Sequence, residues 1–295
     1  MPEGHSIHRL AHTFAAIGDD LRPRASSPQG RFAASAAVID GQHLRRTWAW
    51  GKHLFLDYAL AGDHIVHVHL GLYGSWRFVG TDAFVAPSHV GAPRLAYEHL
   101  GEKVERVAGA WQPPEPRPTV RLRLEFPHGI ADLSGPARCE LIDDGEVDAI
   151  LNRLGPDPLR ADCDGEDFVR AARSSRRPIG QLVMDQSVVA GPGNIYRAEC
   201  LFRTGISPWR PGERVSVDRL RALYADLCTT MSAGVREGRI VTIEPADILD
   251  PLPDPEAGRF YVYHRDQRAC VRCGHRIVAE DMAGRRLFRC PGCQH

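Results

Sequence analysis

Apolar residues Ile7, Leu10, Phe14 and Ile17 recur at intervals of three and four, the spacing of one face of an α-helix. They predict a helix over residues 2 to about 17. From Val38 to about Leu141 the pattern changes to short runs that read HLFLDYAL, HIVHVHL, SWRFVG, TVRLRLEF and GIADL. Turn residues separate these runs, as in an antiparallel sandwich or barrel. The proline-rich stretch WQPPEPRP, residues 111–118, falls between two of them. It predicts an exposed loop, because proline cannot donate to a sheet ladder. Beyond LGPDPL (residues 154–159) the periods become helical, over 167–174, 179–186, 194–203 and 217–236. Residues 244–258, with Pro245, Pro251, Pro253 and Pro255, predict a linker, and the tail from Phe260 a third, small unit.

Composition narrows the class. A chain of 295 residues, 43% hydrophobic and 25% charged, is of a size for two ordinary globular domains and an appendage. No apolar stretch approaches the ~20 residues a membrane span needs. The start, MPEGHSIHRL, lacks a signal-peptide apolar region, so the expected location is the cytoplasm. A formal net charge of +0 argues weakly against a nucleic-acid partner, but it averages over a division. Residues 140–167 hold ten carboxylates and two arginines, a balance of −8, whereas 169–214 hold eight arginines and three carboxylates, a balance of +5. Charge divided this way suits a basic binding surface on an otherwise solubilising exterior; scattered solvated faces are the plainer alternative.

The eight cysteines divide as well. Cys139, Cys163, Cys200 and Cys228 are widely spaced and read as ordinary reduced thiols. Cys270-x2-Cys273 and Cys290-x2-Cys293 are separated by sixteen residues. Each such turn presents two thiolates, and two of them complete a tetrahedral site. The metal expected is one structural zinc, because four thiolates leave no open position; iron in a rubredoxin-like site and a redox pair are the alternatives. A segment this short cannot build a large core, so metal binding supplies much of its folding energy. Arg285, Arg286 and Arg289 lie between the knuckles with Leu287 and Phe288, where a hairpin can set arginines against phosphates.

Pro2 follows the initiator methionine, which is normally removed before a residue as small as proline. The mature chain would begin with a secondary amine. An α-amino group has a pKa near ~8 and is partly unprotonated at neutral pH. Such an amine can attack a sugar aldehyde carbon and form an iminium. Taken alone, proline at position 2 is commonly a plain N-terminus.

Six motifs change that reading. They are Pro2-Glu3-Gly4, Gly51-Lys52 before a β run, His69-Leu70-Gly71-Leu72-Tyr73-Gly74, the LGPDPL stretch, Gly191-Pro192-Gly193-Asn194-Ile195-Tyr196 and the four-cysteine tail. In this order, from residue 2 to residue 293, they resemble the formamidopyrimidine-DNA glycosylase / endonuclease VIII family. The details GKHLF, SSPQGRF and IDDGEV look most like the second endonuclease VIII paralogue of actinobacteria.

The resemblance implies an α+β multidomain fold. A β-sandwich carrying the nucleophile helix (2–141) would be followed by a helix–two-turn–helix DNA-binding domain (150–243) and a β-hairpin zinc finger (260–295). It also implies a monomer, associated with the nucleoid and with no membrane, acting on damaged DNA in duplex or single-stranded form. On that pattern Pro2 attacks C1′ of the damaged nucleotide and Glu3 manages the proton on the sugar ring oxygen. Lys52 contacts the phosphate beside the lesion. It is one of two lysines, with Lys103, against 35 arginines, a hint that a compact point charge matters there. Asn194, after Gly191 and Gly193, suits a phosphate, or else a helix N-cap. Arg285, more than Arg286, matches the finger arginine. Leu72 and Tyr73, following Gly71, match the wedge that fills the gap left by a flipped nucleotide; a hydrophobic turn is the alternative.

The match departs at the start, where the family commonly reads Pro-Glu-x-Pro-Glu and this chain has Gly4, His5 and Ser6. A role for position 6 is therefore not carried over, and His5 either lines the pocket or packs. The reading is a bifunctional DNA glycosylase and abasic-site lyase of base excision repair, directed at oxidised pyrimidines, that cleaves by β,δ-elimination. Specificity for 8-oxoguanine and formamidopyrimidine, a catalytically silent damage-binding protein on the same scaffold, and a zinc-ribbon interaction protein are the alternatives.

Overall fold

The computed structural model describes residues 2–17, 21–87, 89–91, 105–106, 111–247 and 257–295. The chain divides into two compact units, Met1–Asn152 and Arg153–His295.

The first unit opens with α1 (Gly4–Ile17). Its periodic residues Ile7, Leu10 and Phe14 are fully buried, each worth about 1.5–3 kcal/mol relative to an exposed position. A short strand β1 (Arg24–Ser26) and a helix α2 (Ala33–Ile39) follow. The β pattern expected from Val38 therefore begins later, at Leu44. Val38 and Ile39 are β-branched, but they end the run AASAAVI, whose alanines favour helix, and Ala36 and Ile39 bury one face of it.

Two sheets form the body of this unit. One has four strands, in the order β10-β4-β3-β2: β2 (Leu44–Trp50), β3 (His53–Tyr58), β4 (Ile65–His69) and β10 (Arg138–Ile142). The other follows the path β1-β8-β9-β5-β6, with β5 (Ser75–Gly80), β6 (His89–Gly91), β8 (Val120–Phe126) and β9 (Gly129–Ser134), while β7 (Glu105–Arg106) pairs with β5. The β5–β7 pairing is parallel; the others are antiparallel. The inner faces meet in one core, where Leu54, Leu56, Val66 and Val68 join Trp76, Phe78, Leu122, Leu124 and Leu133 together with the apolar face of α1. Phe14 meets Trp76 edge to face, with centroids 5.0 Å apart, the arrangement ring quadrupoles prefer. Residues 111–117 form no regular element, as their prolines predict. Arg123 ties this loop down by donating to Pro114 O over 2.6 Å, while its other nitrogens bind Asp132 on the neighbouring strand at 2.7 Å each. The unit closes with α3 (Asp144–Leu151), which is started by a capping box between Asp143 and Glu146.

The second unit is helical at first: α4 (Glu166–Arg173), α5 (Ile179–Leu182), α6 (Asn194–Arg203) and α7 (Val217–Glu237). Ser216 caps the start of α7 and Gly238, at φ 71°, ends it in the left-handed conformation. The helix expected over 179–186 stops at Leu182. Asp185 turns its carboxylate to Ser187 and Arg177, a local side-chain bond that competes with helix continuation. Within the expected linker, Pro245–Asp247 forms a 3-10 turn; Pro251, Pro253 and Pro255 lie outside the described residues.

Strands β11 (Val278–Met282) and β12 (Arg285–Arg289) form the terminal hairpin. This hairpin shares a core with α6: Ala198 and Phe202 pack with Tyr261, Val262, Ile277, Phe288, Cys270 and Cys290. Glu199, fully buried, accepts from the backbone N–H groups of Tyr261, Val262 and Tyr263, each at 2.8 Å, and from the Thr242 hydroxyl. Among the described residues no helix is long and apolar enough to cross a membrane.

Candidate functional site

In the first unit, α1 and β2 run in opposite directions. Thr47 Oγ1 donates to Ala11 O over 2.8 Å, and Leu44 N donates to Leu21 O, just beyond the end of α1. From Ala11 back to Pro2 a helix covers about 13 Å at ~1.5 Å per residue. From Thr47 forward to the next turn a strand covers about 15 Å at ~3.3 Å per residue. Pro2 and Glu3 thus reach the same end of the unit as the Gly51–Lys52 turn. Both are buried, Glu3 to 1% exposure, and Glu3 stands immediately before the first turn of α1, where the helix dipole favours a carboxylate. His5 is also buried, with Nε2 3.2 Å from Ser6 Oγ.

Lys52 sits in a two-residue hairpin turn between Trp50 and His53. Gly51 has φ 58° and Lys52 does not share that sign, the pattern of a type II′ turn, which wants glycine first. The lysine is half-buried. Across the ladder His53 faces His69, and His69 faces Arg138. His69 accepts a hydrogen bond at Nδ1 from Gly71 N over 3.2 Å, so its own hydrogen lies on Nε2. Burial, followed by the charges of His67, Lys52 and Arg138, pushes its pKa down to about 4. At neutral pH His69 is an uncharged N–H donor beside a lysine, a fit for an anion that sequence reading missed. The signal available was its alternation with His67 in the run HIVHVH.

The segment after His69 is a tight turn closed by Gly74 N to Leu70 O at 3.0 Å. Gly71 has φ 68°, and a Cβ there would lie 2.7 Å from Ala137 Cβ. The backbone is therefore fixed while Leu72 and Tyr73 project, 54% and 79% exposed. Two large apolar side chains on a rigid turn, at the same end of the sheet as Lys52, have the form of a wedge.

In the second unit Gly193, not Asn194, occupies the N-cap of α6; Asn194 is the first helical residue. Its amide Nδ2 donates to Arg286 O over 3.0 Å. Arg197, one helical turn on and buried to 1% exposure, donates to the same oxygen over 3.0 Å and also to Asn194 Oδ1. The start of α6 is thereby joined to the hairpin turn that presents Arg285. That turn is the pair Ala283–Gly284, both at positive φ. Arg285 and Arg286 are both exposed, and Arg286 pairs with Asp266 at 3.2 Å. Arg197 was not singled out from sequence, although its i+3 spacing from Asn194 places the two on one face. Several arginines of the basic stretch are engaged in ion pairs: Arg170 with Asp167, Arg177 with Asp185 and Arg203 with Asp226.

Cys270, Cys273, Cys290 and Cys293 bring their sulfurs within 4.8 Å of one another. The spacings Cys270–Cys293 and Cys273–Cys290 are 3.8 and 3.4 Å. A tetrahedral metal with bonds of about 2.3 Å to sulfur has sulfur–sulfur edges of about 3.8 Å, so the cluster fits one metal ion. Tight backbone turns hold both knuckles, with Gly274 N donating to Cys270 O and Gln294 N to Cys290 O.

Comparison with known proteins places these features in context. The formamidopyrimidine-DNA glycosylase H2TH domain matches residues 154–244. "Endonuclease 8 1" of Mycobacterium tuberculosis is 42% identical over 295 residues, covering 100% of both chains. A formamidopyrimidine-DNA glycosylase of Marinobacter nauticus is 30% identical over 260 residues, 88% of this chain and 84% of that one. Among solved structures, Lactococcus lactis Fpg in complex with DNA containing an abasic site superimposes with a TM-score of 0.73 at 20% identity, over 99% of each chain. The MutM (Fpg) protein of Thermus thermophilus gives 0.68 at 24%, over 99% of this chain and 98% of that one.

Proposed function

The chain belongs to the formamidopyrimidine-DNA glycosylase / endonuclease VIII family, and from that premise we propose that Pro2 is the nucleophile of a bifunctional glycosylase and abasic-site lyase acting on oxidised pyrimidines in DNA. As a DNA glycosylase of base excision repair it needs an amine, a proton-handling carboxyl and a grip on the backbone. The observation that carries the reading is the antiparallel course of α1 and β2, which brings Pro2, Glu3 and Lys52 to one end of the first unit.

With the methionine removed, the imino nitrogen of Pro2 attacks C1′, the base leaves with the electron pair of its bond to C1′, and the N–H proton that the amine gives up neutralises the departing base. Glu3 delivers a proton to the ring oxygen as the sugar opens, so the departing charge never stands alone. A secondary amine gives an iminium that carries a fixed positive charge. It withdraws electrons from C1′ and acidifies the hydrogen on C2′. Loss of that proton expels the 3′ phosphate, and a second elimination expels the 5′ phosphate. Water then hydrolyses the iminium and restores the amine.

Lys52 and the Nε2–H of His69 hold a phosphate next to the lesion, and Asn194 and Arg285 hold the backbone from the second unit. Leu72 and Tyr73 fill the stack vacated by the extruded nucleotide. One zinc ion in the four thiolates is structural: with no open position it fixes the hairpin that carries Arg285. Oxidised pyrimidines are favoured over 8-oxoguanine by the Pro-Glu-Gly start and the Leu-Tyr turn, which lean to the endonuclease VIII branch.

Borohydride reduction tests the reading. Wild-type protein incubated with abasic-site DNA should be trapped as a covalent adduct, and protein with an acetylated amino terminus should not. Trapping that persists with the amine blocked, or with Met1 retained, would remove Pro2 from its role.

A further inference from the structure

Just before the cysteines the backbone enters the left-handed region at a residue other than glycine. We infer that His264 is a further contact to the DNA backbone, its imidazole held by stacking so that it donates a hydrogen bond to a phosphate. The inference rests on the reading that Asn194 and Arg285 hold the DNA.

Arg265 N donates to Val262 O over 3.0 Å, which closes a four-residue turn over 262–265. His264 is the third residue of that turn, at φ 54°, and Tyr263 before it does not share that sign. This is the pattern of a type II turn, whose third position favours glycine. Among the described residues, the other non-glycine positions at positive φ are Gln267 and Ala283. Gln267 is held there by its own bonds, N–H to Ile277 O at 3.0 Å and Oε1 from Arg276 at 3.3 Å. Ala283 is held by the hairpin that it turns. His264 has no such bond: among the described residues neither ring nitrogen meets a hydrogen-bond partner. A conformation that costs free energy and secures no bond for its own residue points to work done by the side chain.

The ring is fixed all the same. It stacks on Tyr263 with centroids 4.3 Å apart and planes 11° from parallel, and it borders Phe288 at 5.1 Å. Tyr263 in turn meets Phe260 and Phe288 edge to face, each at 5.3 Å. The imidazole thus rests on an aromatic group rooted in the buried Phe288, while His264 itself is exposed. Stacking occupies a face of the ring and leaves its in-plane nitrogens for a ligand. An imidazole offers an N–H donor in either protonation state.

The neighbours select the ligand. The Arg286 guanidinium lies 5.7 Å from the Phe288 ring that His264 borders. The carbonyl oxygen of Arg286 is the one held by Asn194 and Arg197, and Arg285 precedes it on β12. Asp266, two residues beyond His264, is paired with Arg286 at 3.2 Å, which offsets its repulsion of an anion. An N–H donor set among these groups fits a phosphodiester oxygen.

The test is an anisotropy titration of the full-length protein with a duplex carrying a tetrahydrofuran abasic analogue, using wild type, His264→Gly and His264→Asn. Glycine relieves the turn and removes the donor. Its melting temperature should equal or exceed that of the wild type, while Kd should rise about tenfold, the worth of one hydrogen bond to a charged group. Asparagine accepts the left-handed backbone and carries an amide donor, so it should recover part of the affinity. Single methylphosphonate substitutions around the lesion locate the partner: one of them should weaken the wild type and leave His264→Gly unaffected. A glycine variant that binds as tightly as the wild type, or equal losses in the two proteins at every methylphosphonate, would overturn the contact while leaving the Asn194 and Arg285 reading intact. A glycine variant that melts well below the wild type would make His264 a packing residue and overturn the contact as well. Wild-type protein that does not bind the duplex would overturn that reading and the contact with it.

Discussion

Asn194 holds the backbone of Arg286 through a hydrogen bond of 3.0 Å from its amide to the carbonyl oxygen. The residue expected to meet phosphate thus also fixes the turn on which Arg285 stands, and Arg197 reinforces the joint from a buried position. Arg285→Ala should weaken binding to an abasic-analogue duplex by about 10- to 100-fold and lower the salt dependence by about one phosphate contact. Asn194→Ala should cost about fivefold, the worth of a neutral hydrogen bond. Fluorescence anisotropy across a salt series measures both. An Arg285→Ala variant with the wild-type salt slope would place that arginine off the DNA.

The turn bearing Leu72 and Tyr73 separates stability from function. Both side chains are exposed, so replacing them with alanine should change folding stability by no more than about 0.5 kcal/mol. Base release from duplex DNA should nevertheless fall by about tenfold or more, because the unstacked gap is left unfilled. Single-stranded substrate, with no stack to restore, should be affected less. Equal losses on both substrates would argue for a different part for this turn.

Glu3→Gln keeps the shape of the buried side chain but cannot deliver a proton. Release of a damaged base should fall by about 100-fold or more, while cleavage at a preformed abasic site persists in part. Separate assays of free base and of nicked strand distinguish the two steps. Full base release by this variant would take Glu3 out of the proton transfer.

Metal removal should act on DNA binding before it acts on chemistry. One zinc per chain is expected by elemental analysis. Cys290→Ser, or strong chelation, should release it and abolish tight binding by freeing the Arg285 turn. A metal-free sample with undiminished affinity would sever the link between cluster and grip.

The depressed pKa of His69 has a signed consequence. Its folded value, about 4, lies below the ordinary histidine value of about 6.5. The unfolded chain therefore binds more protons between these values, and stability rises with pH across that window. Acidification from pH 6.5 toward pH 4 should lower the melting temperature, and His69→Gln should flatten part of that slope. A variant with the wild-type slope would mean that other groups carry the acid sensitivity.

What the sequence disclosed was local. The spacing of Ile7, Leu10 and Phe14 lies within one helix, and each cysteine pair within one knuckle, so both could be read directly. The contacts of His67 with His53 and Glu140 were not legible, because these residues are far apart in the chain and meet only through strand register. The same holds for Arg197 and Glu199, whose partners are backbone groups some sixty to ninety residues away. Helix α2 was missed for a different reason. Val38 and Ile39 read as the start of a strand, and only the burial of Ala36 and Ile39 against the core, with Val38 left exposed, reveals that the alanines before them set the conformation.

Glu199 makes the tail more than an attachment. A carboxylate sunk in α6 and satisfied by three consecutive amides of the tail would, with that tail deleted, be stranded in an apolar setting along with the exposed flank of Phe202. Truncation before Phe260 would therefore injure the helices themselves. Calorimetry should show helices and hairpin melting in a single transition, with the metal content setting its temperature.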